Sequence, residues 1–220
     1  MINKKNVIMI TMILSVIYLL YSIMVLTGLW RYMKMYYSNP EKYLDTYKNI
    51  DSLDNDKNIV TLTTDNIDSI KPVINSILDQ TVSISDIILV VPYGEEFNLP
   101  IELKDAVKIM RTEYKHNKLS PIMANLITEG EGDTNLILLQ DDKIYGKNFI
   151  EKLLSHKKKN HVIYQNNKDF IDVNKPILIP LNIVNSEIMN LDGSENTNEW
   201  LNKSFKYKKR LSYKGNYNKL

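Results

Sequence analysis

The sequence predicts an α/β domain with a mostly parallel sheet flanked by helices, preceded by one transmembrane helix. Two observations lead to this prediction. A run of about 24 uncharged residues, from Val7 to Trp30, lies near the N-terminus. After residue 57, short apolar runs alternate with segments of helical periodicity, an order typical of strand–helix–strand units whose strands run parallel.

The uncharged run, VIMITMILSVIYLLYSIMVLTGLW, is long enough to cross the hydrocarbon core of a bilayer. A cleaved signal peptide is the alternative, but its apolar region is typically about 7–15 residues and precedes small residues. This run instead ends in Trp-Arg-Tyr. We therefore expect residues 7–30 to form an uncleaved anchor after a tail of residues 1–6. Basic residues flank the run on both sides, so charge barely indicates its orientation.

Composition excludes several classes of function. The chain has no cysteine, which rules out disulfides, thiolate metal sites and a cysteine nucleophile. Its formal net charge is +2, so no strong attraction to polyanions is predicted and nucleic acid is not an expected partner. No Gly-x-Ser-x-Gly, P-loop or Gly-x-Gly-x-x-Gly pattern occurs.

The chain after the anchor divides into a polar, tyrosine-rich stem or linker, residues 31–57, and one domain, residues 58–220. The first helix of that domain has apolar residues at helical spacing, with Asp65 as its expected N-cap. The stretch Ile188–Leu220 is polar, finally basic, and expected to be irregular. The predicted strands are Ile59–Leu62, Ile87–Val91, Val107–Met110, Asn135–Leu139 and His161–Tyr164, and the predicted helices are Ile67–Leu78, Ser120–Thr128 and Asn148–His156.

Ligands of open α/β sheets bind beyond the carboxyl ends of the strands, so the residues after each apolar run are the candidates. Thr63-Thr64-Asp65 closes the first strand, where hydroxyls and free N–H groups can receive a phosphate or ribose. Simple capping of the next helix is the alternative. Arg111–Lys118, RTEYKHNK, gathers cations that can contact a diphosphate, or else forms a solvated charged loop.

Gln140-Asp141-Asp142 follows the apolar strand NLILL directly. Adjacent carboxylates at a strand end supply the hard oxygen ligands that Mg²⁺ or Mn²⁺ takes together with substrate phosphate oxygens. Ordinary turn chemistry is the alternative, because Asp side chains readily bond their own backbone.

Three segments in this order, Val60–Gly94, Glu113–Leu126 and Gly132–Leu153, resemble the family-2-like glycosyltransferases of GT-A fold. Those enzymes have a Thr-Thr or Pro-Thr turn after the first strand and a helix ending near S-x-L-x-Q-T, which SILDQT at 76–81 reproduces. Their acidic motif, an apolar strand followed by Asp residues and a Tyr, is similar to LILLQDDKIY. The resemblance implies a Rossmann-like GT-A domain.

By this resemblance, Thr63, Thr64 and Asp65 approach the nucleotide of a donor, and Lys118 and Asp141 also contact it. Asp142, assisted by Asp141, would bind Mn²⁺ or Mg²⁺. The chain departs from the family pattern at Gln140, where the first Asp of an Asp-x-Asp motif is expected, and at 113–115, where Glu-Tyr-Lys replaces Asp-Tyr-Gly and the spacing to the lysine is one residue short. The first departure predicts weaker metal affinity unless Asp141 substitutes.

The resemblance implies transfer of a sugar from a nucleoside diphosphate donor to a hydroxyl of a glycan, glycoprotein or glycolipid. Glu195 or Glu199, in SENTNEWLNKSF, is the expected general base. One anchor before such a domain is the layout of type II enzymes of the secretory pathway, which favours that orientation and a place in the ER or Golgi. Two alternatives remain: a degenerate transferase domain kept as a binding or scaffolding module, and an anchored structural protein with an unrelated parallel sheet.

Overall fold

The computed structural model describes residues 4–47, 57–64, 67–94, 97–112, 134–158, 160–165, 171–172, 174–183, 198, 201, 205, 208–211 and 217–219. The chain divides into two compact units, Met1–Ser38 and Asn39–Leu220.

The first unit contains two helices, α1 (Lys4–Leu26) and α2 (Leu29–Tyr37). Helix α1 is long and apolar enough to cross a membrane, and none of its residues is buried. The predicted anchor extends further, to residue 30, but the helix is interrupted at Gly28, which has a positive φ of 76°. Glycine adopts this left-handed conformation without steric penalty, so the sequence places the interruption there.

The second unit begins with α3 (Glu41–Tyr47) and then alternates strands and helices. The prediction of an α/β domain is confirmed. Its strands are β1 (Lys57–Thr63), β2 (Asp86–Pro92), β3 (Lys108–Thr112), β4 (Thr134–Leu138), β5 (Lys143–Tyr145), β6 (Val162–Gln165), β7 (Ile177–Pro180), β8 (Lys208–Leu211) and β9 (Tyr217–Lys219), and its other helices are α4 (Ile70–Leu78) and α5 (Phe149–Leu154), with 3-10 turns at Ile67–Ser69, Ile101–Leu103 and Leu181–Ile183.

Seven strands form one sheet in the order β3-β2-β1-β4-β7-β6-β8. The first four are parallel, β7 is antiparallel to both β4 and β6, and β6 is parallel to β8. Only β7 therefore runs against the other strands of this described sheet, which confirms the predicted mostly parallel arrangement. Strands β5 and β9 form a separate antiparallel pair.

The central strands are buried, which explains their continuous apolar sequences. In β4 every residue is buried, and in β1 and β2 only the terminal residues are partly exposed. Alternate residues of several strands share one hydrophobic cluster, as the two-residue period of a strand requires. That cluster contains Ile59, Ile88, Val90, Leu136, Leu138, Val162, Tyr164, Ile171, Ile177, Ile179, Leu181, Leu201 and Phe205.

Helix α4 has the predicted buried stripe, but it begins later than predicted. Its α-helical part starts at Ile70 with Ser69 as N-cap, after a 3-10 turn at Ile67–Ser69, whereas the predicted helix starts at Ile67. Pro72 accounts for the difference, because it has no N–H to bond a carbonyl of the preceding turn. In a helix that starts at Ile70, Pro72 is the third residue. The N–H of a third residue has no intrahelical partner, so proline loses no hydrogen bond there.

Four strands of the structure are missing from the prediction: β5, β7, β8 and β9. The last two fall within Ile188–Leu220, so the expectation that this stretch is irregular is wrong for residues 208–211 and 217–219. Each is three or four residues long, and short strands gain their hydrogen bonds from distant partners rather than from a local pattern. The predicted helix Ser120–Thr128 lies outside the described residues.

Candidate functional site

The candidate site lies at the carboxyl edge of the sheet, where β1 and β4 end beside each other. Thr61 pairs with Leu138 in the parallel register, and the Leu139 N–H extends this pairing by donating to the Thr61 carbonyl oxygen at 3.0 Å. Two residues further along the chain come Thr63, the last residue of β1, and Gln140, just beyond β4. The threonine turn and the acidic turn, far apart in sequence, are therefore neighbours, at the position where α/β sheets bind ligands.

The acidic turn, residues 140–142, is held by the phenol of Tyr145. The Gln140 N–H donates to the Tyr145 hydroxyl oxygen at 2.8 Å, and that hydroxyl donates to the Gln140 carbonyl oxygen at 3.1 Å. Tyr145 is fully buried, and its ring lies 5.0 Å from that of Phe149. The side chains of Asp141 and Asp142 remain partly exposed at the turn. The buried Tyr145 thus fixes the backbone of the turn, while the carboxylates of Asp141 and Asp142 stay accessible.

The SILDQT segment connects the end of α4 to the chain that follows the acidic turn. The Ser76 hydroxyl oxygen accepts the Tyr145 N–H at 3.1 Å. The Gln80 amide nitrogen donates to the Gly146 carbonyl oxygen at 2.8 Å, and its carbonyl oxygen accepts the Ile150 N–H at 2.9 Å. Ser76 and Gln80 are both buried. Ser76 and Gln80 of this segment therefore position the chain that follows the acidic turn. The sequence pattern did not reveal this role.

Lys143 is a buried cation next to the acidic turn. Its ammonium donates to the Gln140 side-chain oxygen at 3.0 Å and to the Asn174 carbonyl oxygen at 3.0 Å. It also lies 3.6 Å from a carboxylate oxygen of Asp142. The lysine side chain is 8% exposed and the Asp142 side chain 44%. The sequence analysis missed Lys143. The signal that could have identified it is its place directly after two aspartates, where a positive charge follows two negative ones.

These side chains do not fit a divalent ion held between residues 140 and 142. The Gln140 oxygen that would replace a carboxylate ligand already accepts a hydrogen bond from Lys143. An ion bound by Asp142 would lie against the ammonium group, and like charges at such short range repel strongly in a partly buried site. The described part of the chain also contains no group of three or more Asp, Glu, His or Cys side chains placed to hold a metal.

The structure brings together part of the predicted site. Thr63 is partly exposed and Thr64 buried at the end of β1, and the neighbouring strand β4 leads into Asp141 and Asp142. Arg111 lies near the end of β3, at the same edge of the sheet, and donates to the Pro92 carbonyl oxygen at 3.4 Å. The remaining predicted residues, Asp65, Lys118, Glu195 and Glu199, lie outside the described residues, and the roles of all these residues stay predictions.

Comparison of the sequence with protein-family models and with curated proteins finds no match.

The solved structures that resemble the chain include the following three. Residues 1–349 of TarS from S. aureus align with a TM-score of 0.52 and 13% identity, covering 74% of this chain and 60% of that one, and this protein has also been solved in complex with UDP. The mannosyltransferase PcManGT from Pyrobaculum calidifontis, in complex with GDP-Man and Mn²⁺, aligns with a TM-score of 0.52 and 8% identity over 78% of this chain and 58% of that one. The glycosyltransferase GlyE of Streptococcus pneumoniae TIGR4 has a TM-score of 0.49 and 14% identity over 72% of this chain and 46% of that one.

The likeness to TarS and PcManGT confirms the GT-A-like fold predicted from the sequence. The chain spans about half to three fifths of the length of the three similar proteins, 46% to 60%.

Proposed function

We propose that this chain is a membrane-anchored glycosyltransferase that binds a nucleoside diphosphate sugar at the carboxyl edge of β1 and β4 and transfers the sugar to an acceptor hydroxyl. The observation that carries the proposal is the adjacency of the threonine turn after β1 to the acidic turn after β4. Both turns lie at the edge where α/β sheets bind nucleotides.

The similar proteins support a nucleotide as the ligand. TarS has been solved with UDP and PcManGT with GDP-Man, and both share the fold. In this chain, Thr63 and Thr64 would receive the nucleotide through hydroxyl and N–H groups, together with Asp65. Asp141, partly exposed at the neighbouring turn, would accept hydrogen bonds from donor hydroxyls. Arg111 would add positive charge near the diphosphate, and so would Lys118 in the role that the resemblance implies.

Transfer requires the acceptor oxygen to attack the anomeric carbon while the bond from that carbon to the diphosphate oxygen breaks. The nucleoside diphosphate leaves with the bonding electrons, and the acceptor proton passes to a general base, for which Glu195 or Glu199 is the candidate. The acceptor would be a hydroxyl of a glycan, glycoprotein or glycolipid. The Mn²⁺ or Mg²⁺ expected at Asp142 and Asp141 is supported by the Mn²⁺ of PcManGT and opposed by Lys143, so no step is assigned to it.

The membrane anchor rests on α1. Its four Ser and Thr side chains in and just after the helix, at 11, 15, 22 and 27, each donate to the carbonyl four residues earlier at 2.8–2.9 Å. Hydroxyls satisfied in this way cost little in hydrocarbon, where unpaired polar groups are expensive. A type II orientation, with the domain in the lumen of the ER or Golgi, is the arrangement proposed.

The experiment is calorimetric titration of the full chain in detergent micelles with a panel of nucleoside diphosphate sugars, UDP and GDP, followed by a transfer assay with the donor that binds. Asp141→Ala should lower donor affinity about tenfold or more, because it removes a hydrogen bond to a charged group. The matched control is Asp105→Ala, an exposed aspartate in the turn after the 3-10 turn at 101–103, which should leave affinity unchanged.

Equal affinity in the wild type and Asp141→Ala would place the nucleotide elsewhere. Absence of nucleotide binding by the folded wild type would favour the second candidate, a degenerate transferase domain that serves as a binding or scaffolding module. The specific observation in favour of that candidate is the acidic motif itself, in which Gln140 and Lys143 reduce the negative charge.

A further inference from the structure

Lys143 is held from several directions as a fixed cation. Strand β5 begins at this residue and pairs with β9, with Lys143 opposite Lys219 in the backbone register. Two residues on, the N–H of Tyr145 is fixed by Ser76. On the other side, Asn174, whose carbonyl accepts from the ammonium, is ordered by two hydrogen bonds to a carboxylate oxygen of Asp172, at 2.9 and 3.0 Å.

The surroundings of the ammonium suit a positive charge. A protonated lysine has three donors. Its nitrogen meets the side-chain oxygen of Gln140, the carbonyl oxygen of Asn174 and a carboxylate oxygen of Asp142. A buried charge is costly unless it is paired and hydrogen-bonded, and here both conditions are met. These contacts hold the Lys143 ammonium in place, so an incoming ion would not displace it easily.

This cation changes the charge that the acidic turn offers. Asp141 and Asp142 carry two negative charges and Lys143 one positive charge, so the turn has a net charge of −1 instead of −2. Gln140 contributes a neutral oxygen, which is already engaged. A divalent ion gains its affinity from carboxylate oxygens and from the absence of neighbouring cations. The turn therefore attracts a divalent ion only weakly.

We propose that the ammonium of Lys143 takes the place of a divalent cation at this turn, so that a nucleoside diphosphate is bound without Mn²⁺ or Mg²⁺. The inference rests on the proposed function for the identity of the ligand. The weak affinity of the turn for a divalent metal does not depend on that function. It predicts that removing the positive charge of Lys143 raises the affinity of the turn for a divalent metal above that of the wild type.

The test uses the full chain in detergent micelles and two measurements. Titration with Mn²⁺, followed by the electron paramagnetic resonance signal of the free ion, reports metal binding without any nucleotide. Calorimetric titration with UDP and GDP, in excess Mn²⁺ and in EDTA, reports the metal dependence of nucleotide binding. The variants are Lys143→Met, which removes the charge and shortens the side chain by one atom, and Gln140→Asp combined with Lys143→Met, which also restores the carboxylate. Lys71→Met is the matched control, since Lys71 pairs with Glu102 at 2.8 Å on the surface of α4.

The wild type and Lys71→Met should bind nucleotide with affinities that differ by less than about twofold between Mn²⁺ and EDTA. Lys143→Met should bind Mn²⁺ about 10- to 100-fold more tightly than the wild type, and the double variant more tightly still. Loss of wild-type nucleotide affinity by about tenfold or more in EDTA, or equal Mn²⁺ affinity in the wild type and both variants, would overturn the inference.

The two proposals fail separately. If no nucleotide binds in either buffer, the proposed function is contradicted while the Mn²⁺ titrations still decide the role of Lys143. If a variant does not fold, the comparison of Mn²⁺ with EDTA in the wild type decides it, since that comparison needs no substitution.

Discussion

Gln80 connects helix α4 to the segment after the acidic turn through a side chain that is 2% exposed. Its amide nitrogen donates to the carbonyl oxygens of Ser76 and Gly146, each at 2.8 Å, and its oxygen accepts from the N–H of Ile150. Next to it, the Thr81 hydroxyl donates to Glu151 at 2.7 Å. A single residue thus uses both ends of its amide to hold the start of α5 against the end of α4.

Substitution Gln80→Leu should lower the free energy of unfolding by about 2–4 kcal/mol, because the buried Ile150 N–H loses its partner and the partly buried Gly146 carbonyl loses one of its two. Chemical denaturation of the full chain in micelles measures this change. The matched control is Asn98→Leu at an exposed position, for which a change within about 0.5 kcal/mol is expected. Equal stability of Gln80→Leu and the control would show that the amide does not hold the two helices together.

Thr61 presents the opposite case, a buried hydroxyl without a hydrogen-bond partner in the described part of the chain. It lies on β1 two residues from Ile59, on the face that forms the hydrophobic cluster. Thr61→Val should raise the thermal midpoint by about 2–4 °C, since it replaces an unpaired hydroxyl by a methyl group. Ser76→Ala is the comparison, because its buried hydroxyl has partners in Val73 and Tyr145 and its loss should lower the midpoint.

At the scale of the element, α1 and the β5–β9 pair show two ways of satisfying polar groups. In α1 the side-chain hydroxyls bond the helix's own carbonyls, so the element needs no partner and suits hydrocarbon. In β5 the backbone pairs with a strand more than seventy residues later, and the same strand carries the buried Lys143. A local pattern reveals the first kind of element, whereas the second exists only when the distant strand is in place.

Substitution Ile13→Arg near the middle of α1 tests the anchor. A charged residue at the centre of a spanning helix costs about 2.5–3.5 kcal/mol of insertion free energy, so a larger fraction of the protein should be extracted from membranes by alkaline carbonate. The control is Tyr37→Arg, at an exposed position of α2 beyond the apolar run, which should stay in the membrane fraction as the wild type does. Full extraction of the wild type itself would contradict the proposed anchor.

At the scale of the whole molecule, β7 decides the shape of the sheet. It enters between β4 and β6 in the opposite direction, with Leu136 opposite Ile179 and Ile163 opposite Leu178. The parallel strands carry the candidate site, and the connection between β6 and β7 contributes Asn174, whose carbonyl oxygen accepts from Lys143. The acidic turn therefore depends on β7 and its connection as well as on the strands that carry the site.

The sequence by itself determined the features that depend on local periodicity and order. Five strands and two helices of the prediction are present in the structure, since β1, β2, β3, β4 and β6 are apolar runs and α4 has a 3.6-residue stripe. The order of these elements predicted a mostly parallel sheet, and the rule for its carboxyl edge selected Thr63, Thr64, Asp141 and Asp142 as candidate ligand-binding residues. In the structure these residues follow the carboxyl ends of two adjacent parallel strands, β1 and β4.

Only the tertiary structure decided what the acidic turn contains. In the sequence Lys143 reads as a solvated charge beside two aspartates, because nothing local indicates that it is buried. Its burial arises from contacts with Gln140 and with Asn174, which is 31 residues away, and from pairing of β5 with β9. Such non-local contacts form only as the chain folds, so the burial and position of this cation are properties of the fold rather than of the motif.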